Sequence, residues 1–152
     1  MKARTRILPF LLLFLLTACS KPSGDFLFVS APEAAATGGT YEFRLQLDDS
    51  THIYDTRLAA RLVTSRIPAG RIGLDIRTTS PSGETAIERL MLPLDGEEGV
   101  RIILGSGSVA DFQWVWHPLR AAGTETGTWK ISITPTDPAI AEAIYGIGLS
   151  YE

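Results

Sequence analysis

The sequence predicts an all-β fold, an immunoglobulin-like or jelly-roll β-sandwich of about eight strands with one short helix. Three observations predict it. Apolar residues recur at every second position in several segments, turn-forming residues interrupt the chain at roughly ten-residue spacing, and a single stretch carries helix start signals.

The first clear strand signal is Tyr41, Phe43, Leu45 and Leu47, which alternate with Glu42, Arg44 and Gln46. Such a segment buries one face and wets the other. Ile72, Leu74 and Ile76 repeat the pattern, followed by Val100, Ile102 and Leu104, and by Phe112, Trp114 and Trp116. Trp129, Ile131 and Ile133 come next, and Ile147, Leu149 and Tyr151 close the chain. Segments 54–64 and 85–93 are rich enough in apolar and β-branched residues to add two more strands.

The turns are Asp48-Asp49-Ser50, Ile67-Pro68-Ala69-Gly70, Ser80-Pro81-Ser82-Gly83, Gly96-Glu97-Glu98-Gly99, Gly105-Ser106-Gly107 and segment 123–127. Ser80-Pro81-Ser82-Gly83 is the sharpest hairpin signal. Proline presets the first turn dihedral and glycine accepts a later positive φ. The helix is expected from Asp137, an N-cap residue, followed by Pro138 at the first helical position and then by alanines.

Upstream of the strands, Lys2, Arg4 and Arg6 precede an apolar run over 7–16. That run is about half the roughly 20 residues needed to span a bilayer, so it reads as a removable export signal. Leu16-Thr17-Ala18-Cys19 resembles the lipobox of bacterial lipoproteins. The resemblance implies cleavage before Cys19 and fatty acylation of its thiol, and two or three acyl chains hold a protein stably in a membrane. Cys19 is the only cysteine, so lipidation also accounts for an otherwise unpaired thiol in an exported chain, and no intramolecular disulfide can form. Ser20 stands where an aspartate would retain a lipoprotein in the inner membrane, and Ser20-Lys21-Pro22-Ser23-Gly24 lacks the acidic cluster of surface-displayed ones. The expected place is therefore the outer membrane with the domain in the periplasm. The organisation follows as 1–18 signal peptide, 19–25 lipidated tether and 26–152 β-sandwich domain.

Of the 152 residues, removing the 18 of the signal leaves 134, the size of one domain. Losing Lys2, Arg4 and Arg6 moves the formal charge from −3 to −6, with both signs interspersed. No basic stripe remains, so no nucleic-acid partner is expected.

An enzyme requires a constellation of groups, and none is legible here. His52 lies near Asp48, Asp49 and Asp55, but the spacing suits neither a zinc site nor an EF-hand, and a solvated turn explains it. His117 has no nucleophile motif to serve. Glu84, Glu88, Glu97 and Glu98 are read as surface and turn carboxylates. No catalytic residue, metal or cofactor is therefore expected. Trp114, Trp116 and Trp129 are the residues most open to a functional reading, because aromatic platforms stack on sugars and anchor interfaces, and Trp114 and Trp116, two apart, share a face. Trp114, Trp116 and the Asp48-Asp49 loop are the candidate ligand or partner contacts, although the same spacing serves a core.

The order of elements resembles the GldH family of Bacteroidetes gliding-motility lipoproteins. The similarity rests on Tyr41-Glu42-Phe43-Arg44-Leu45-Gln46-Leu47-Asp48, Tyr54 and Asp55 before a strand centred on Arg61, Ile72-Gly73-Leu74-Asp75-Ile76 ahead of Ser80-Pro81-Ser82-Gly83, and the ending Ile144-Tyr145-Gly146-Ile147-Gly148-Leu149-Ser150-Tyr151-Glu152. It spans roughly residues 40–152. Segment 96–107 lacks the tryptophan-glycine pattern of the family's middle, and the Met-Arg before the final helix is absent. The resemblance implies a non-enzymatic accessory of the gliding and type IX secretion machinery that works through envelope protein partners. The alternative is a glycan- or ligand-binding envelope lipoprotein.

Overall fold

The computed structural model describes residues 25–67, 70–95, 100–103, 107–116 and 125–152. In chain order these form β1 (Asp25–Ser30), α1 (Ala31–Ala36), β2 (Tyr41–Leu47), β3 (Thr56–Val63), β4 (Arg71–Thr79) and β5 (Thr85–Pro93). They continue with β6 (Val100–Ile103), β7 (Val109–Val115), β8 (Gly127–Pro135), α2 (Pro138–Ala143) and β9 (Ile144–Tyr151). The strands build two antiparallel sheets, a five-stranded one in the order β1-β9-β3-β7-β6 and a four-stranded one in the order β2-β8-β4-β5.

The pairing is nested. First pairs with last (β1 with β9), then β2 with β8, β3 with β7 and β4 with β5, as if one long hairpin had been rolled into two layers. That is the jelly-roll arrangement, and it decides between the two sandwich types compatible with the sequence. β6 is an extra edge strand on β7.

Alternation dictates the layers. In β2 every odd-numbered residue is buried and every even one exposed. Leu58 and Leu62 of β3, Ile72, Leu74 and Ile76 of β4, Ile131 and Ile133 of β8, and Ile147 and Leu149 of β9 fill the space between the sheets. Each such side chain contributes about 1.5–3 kcal/mol when fully buried.

The local signals act as their chemistry demands. Gly83 takes φ of 95° and its N–H donates to the Ser80 carbonyl at 3.0 Å, closing the β4–β5 hairpin. The Asp137 carboxylate accepts from the Ala139 N–H at 2.7 Å and Pro138 opens α2.

Two elements lie beyond the expected set. β1 begins at Asp25, the last residue of the expected tether, and its Phe26-Leu27-Phe28-Val29 run is apolar on both faces, so it carries no period-2 signal. α1 is started by a capping box that the spacing Ser30-x-x-Glu33 does encode: the Glu33 carboxylate accepts from the Ser30 N–H at 2.7 Å and from its hydroxyl at 2.6 Å. These bonds hold the Glu33 carboxyl below its ordinary range.

The signal and lipobox with Cys19, the Ser20-Lys21-Pro22-Ser23-Gly24 spacer, Pro68 and Ala69, the 96–99 turn with Glu97 and Glu98, Leu104, Gly105 and Ser106, His117, and Gly123 and Thr124 lie outside the described residues.

Candidate functional site

The inner faces of both sheets are occupied by the core, so any site must be built on the outer faces or at the ends. The outward face of the five-stranded sheet is the more unusual. Its edge strand β1 points Phe26 and Phe28 outward, and register sets them opposite Ser150 and Gly148 of β9. Both rings lean across β9. A Cβ on Gly146 would lie 2.2 Å from Phe28 Cζ, and one on Gly148 would lie 2.6 Å from Phe26 Cζ. The two glycines thus let the rings down onto a strand whose interior glycines would otherwise weaken it. The rings stand 6.4 Å apart and only 25° from parallel, with Phe26 59% and Phe28 39% exposed.

Beyond β9, the outward residues at the middle of β3 are Ala59 and Arg61, paired in register with Gln113 and Asp111 of β7. Arg61 Nε donates to Asp111 Oδ1 at 2.6 Å and its terminal nitrogen donates to Oδ2 at 2.8 Å, a bidentate pair. The hydrogen bonds to Asp111 hold the Arg61 guanidinium above its ordinary pKa. The same guanidinium carbon sits 5.8 Å from the centre of the Phe28 ring, within cation–π range. Phe26, Phe28, Ala59, Arg61, Asp111 and Gln113 enclose a trough of about 220 Å³. Near the Arg61 end the register jumps, from Arg61 opposite Gly146 to Leu62 opposite Ile144, leaving Tyr145 as a bulged and exposed extra residue.

The outward face of the four-stranded sheet carries larger, polar side chains. Thr134, Asp75 and Arg89 form one cross-strand row, and Glu42, Ser132, Arg77 and Ile87 form the next. Arg89 and Asp75 repeat the bidentate arrangement at 2.6 and 2.8 Å, and the Arg89 bonds hold the Asp75 carboxyl below its usual range. A shallow cleft of about 640 Å³ runs over these rows, with Thr40 at its margin. Its outer limit is β5, which hydrogen-bonds to β4 alone among the described strands and exposes Ile87 and Met91.

The residues singled out from sequence fall elsewhere. Trp114 and Trp116 are 3% and 6% exposed, packed into the core, with no open ring face to stack on a ligand. Their indole N–H groups are also spent, Trp114 on the Pro93 carbonyl and Trp116 on the Glu88 carboxylate, each at 2.8 Å. Trp114 stacks on Phe112 at 6.0 Å, and the Trp116 carbonyl accepts from the Thr56 hydroxyl. Trp129 is half-buried and donates to the Glu125 carbonyl.

Asp48 accepts from the Gln46 amide at 3.1 Å. Asp49 accepts from the Thr51 N–H and hydroxyl at 2.8 and 2.7 Å, which organises the turn and holds its carboxyl below the usual range. His52 packs edge-on against Tyr54 at 4.7 Å. Among the described residues no three His, Cys, Asp or Glu side chains gather into a metal-sized group, and no helix is long and apolar enough to cross a membrane.

The sequence did contain a trace of the trough. Glycine at alternate positions, Gly146 and Gly148, clears one face of a strand, which signals close approach by another group. Which group comes close is not encoded locally, because Phe28 is more than a hundred residues away along the chain. Comparison with family models, curated proteins and solved structures finds no match to this chain.

Proposed function

We propose that this chain is an outer-membrane lipoprotein, held by fatty acyl groups on Cys19 with its domain in the periplasm. In this reading it serves as a non-enzymatic accessory of a gliding-motility or type IX secretion apparatus through protein–protein contacts, as its resemblance to the GldH family implies. The observation that supports the contact role is the β5 edge. Along Thr85–Pro93 the alternate backbone groups that face away from β4 meet no partner strand among the described residues, apart from the Pro93 carbonyl held by Trp114, and beside them stand Ile87, 67% exposed, and Met91, 51% exposed.

Open edges of this length recruit a partner strand unless they are blunted. Here Glu84, Glu88 and Arg89 discourage random pairing, while the neighbouring charges of the four-stranded face select a complementary partner. A surface mixing methionine and arginine with isolated apolar groups has the make-up of a non-obligate interface.

The test is recovery of partners from cross-linked membranes of cells expressing the full lipoprotein. Motility or secretion components are expected with the wild-type chain and are expected to be depleted with a Met91→Lys, Ile87→Lys double variant. Equal recovery from both chains, or recovery of none, overturns the proposal. The anchor is tested separately: Cys19→Ala should release the protein from the membrane fraction, and unchanged partitioning refutes lipidation.

A further inference from the structure

We propose that the trough on the five-stranded sheet is a carbohydrate-binding site, which grips one pyranose ring of a neutral polysaccharide. The site lies on the opposite layer from the β5 edge, shares no residue with it, and does not depend on the protein-contact reading.

The chemistry of the walls carries the inference. A sugar ring is amphipathic, with a face of C–H bonds and an equator of hydroxyls, each both donor and acceptor. The trough is amphipathic in the same way. One wall is the pair of rings Phe26 and Phe28, nearly parallel and partly exposed. The opposite wall is Asp111 and Gln113, planar groups that together accept and donate hydrogen bonds.

The floor is Ala59, whose methyl group leaves the space open, and the Phe26 ring covers its register neighbour Gly148. The strands bearing the two walls are three spacings apart in the sheet order, about 14 Å, and the rings narrow that gap by leaning over β9.

The polar wall is set in place before any ligand arrives. Arg61 holds Asp111 through two hydrogen bonds and is itself steadied over Phe28, so little side-chain freedom is lost on binding. The same ion pair neutralises the site, which favours an uncharged glycan over an anionic one. An apolar protein side chain or an acyl chain would suit the phenylalanines but would desolvate Asp111 and Gln113 without replacing their hydrogen bonds. Within the trough a partner strand has no backbone to pair with, because β9 and β3 are both hydrogen-bonded on their two sides and the side of β1 that faces the trough is bonded to β9. At about 220 Å³ the trough is smaller than a pocket enclosing a whole ligand, as fits an open groove that holds one unit of a chain passing over it.

The experiment is electrophoresis of the full lipoprotein, in detergent, through native gels containing a soluble β-glucan, xylan, mannan, galactan or dextran. Retardation by at least one polysaccharide is expected. Affinity should fall at least about tenfold in Phe28→Ala and in Gln113→Ala, and should survive in Phe28→Tyr and Ile87→Ala. Phe28→Ala uncovers Gly146 and can lower stability by itself. Gln113→Ala removes only a wall group and should leave the melting temperature unchanged. Migration unaffected by every polysaccharide overturns the proposal, as does retardation that persists in Gln113→Ala. Loss of a cross-linked protein partner in Gln113→Ala, without loss of glycan retardation, makes the face a protein interface instead.

Discussion

The two sheets of this jelly roll bury their inner faces by the same rule and differ on their outer faces. On the four-stranded sheet the central strands β8 and β4 carry Lys130, Ser132, Arg77 and Asp75 outward, so the surface is polar and its charges are met by solvent or by one another. On the five-stranded sheet the interior strand β9 carries Gly146 and Gly148 outward, while the edge strand β1 beside it carries two phenylalanines. Small residues in the middle with large ones at the edge make a depression, whereas side chains of similar size make a broad, shallow relief. The contrast shows that a depression can be created by leaving side chains off an interior strand.

The two faces share one core, and the largest effect should come from breaking it. Trp114→Ala empties a buried site between the layers and should cost about 3–5 kcal/mol in urea unfolding, disturbing both faces together. In a Trp129→Phe variant the remaining fluorescence, from Trp114 and Trp116, should resist acrylamide, and ready quenching would contradict their burial.

Next in size is Gly146→Ala, whose added methyl meets the Phe28 ring and, at 2.9 Å, the Val29 carbonyl. A loss of about 1–3 kcal/mol is expected. Combined with Phe28→Ala, the two losses should sum to less than their separate values, since the ring makes the closest of the contacts and only the one with the Val29 carbonyl remains. Simple additivity would show that the ring does not rest on the strand. On the four-stranded sheet, Ser132→Ala should be close to neutral.

The ion pairs sharpen the comparison further. Arg61–Asp111 is the less exposed and adjoins an aromatic ring, so a double-mutant cycle should give it a coupling near the upper end of surface pairs, about 1 kcal/mol. Arg89–Asp75 has the same geometry in a wetter setting, so its coupling should be smaller and should fade sooner with salt.

Smallest is the acid response. Asp75, Asp49 and Glu33 are held below their ordinary values by Arg89, Thr51 and Ser30. Their stabilisation is complete above the unfolded-state values and is lost as the pH falls through the lowered folded ones. Stability should be flat through neutrality and decline once the pH reaches about 4. Asp75→Asn should flatten part of that decline, and an unchanged slope would remove Asp75 from the account.

Much of the layer structure was legible along the chain. β2 is a strand because its residues alternate, the β4–β5 hairpin follows from Pro81 and Gly83, and α2 follows from Asp137 and Pro138. β1 was not legible, because a strand that is apolar on both faces loses its period. The burial of the two tryptophans was not legible for a related reason. Alternation groups Trp114 with Trp116 on one face but is symmetric between inside and outside, and only packing against the other sheet decides which way the tryptophans point.

The sequence by itself determined the all-β class, the Ser80–Gly83 turn and the start of α2, since these depend on residues adjacent in the chain. The tertiary structure alone decided the nested pairing and the composition of each outer face. Phe28 beside Gly148, and Arg61 against Asp111, are separated by 120 and 50 residues and meet only through strand register. Register is set by burying both inner faces at once, a condition no local segment contains.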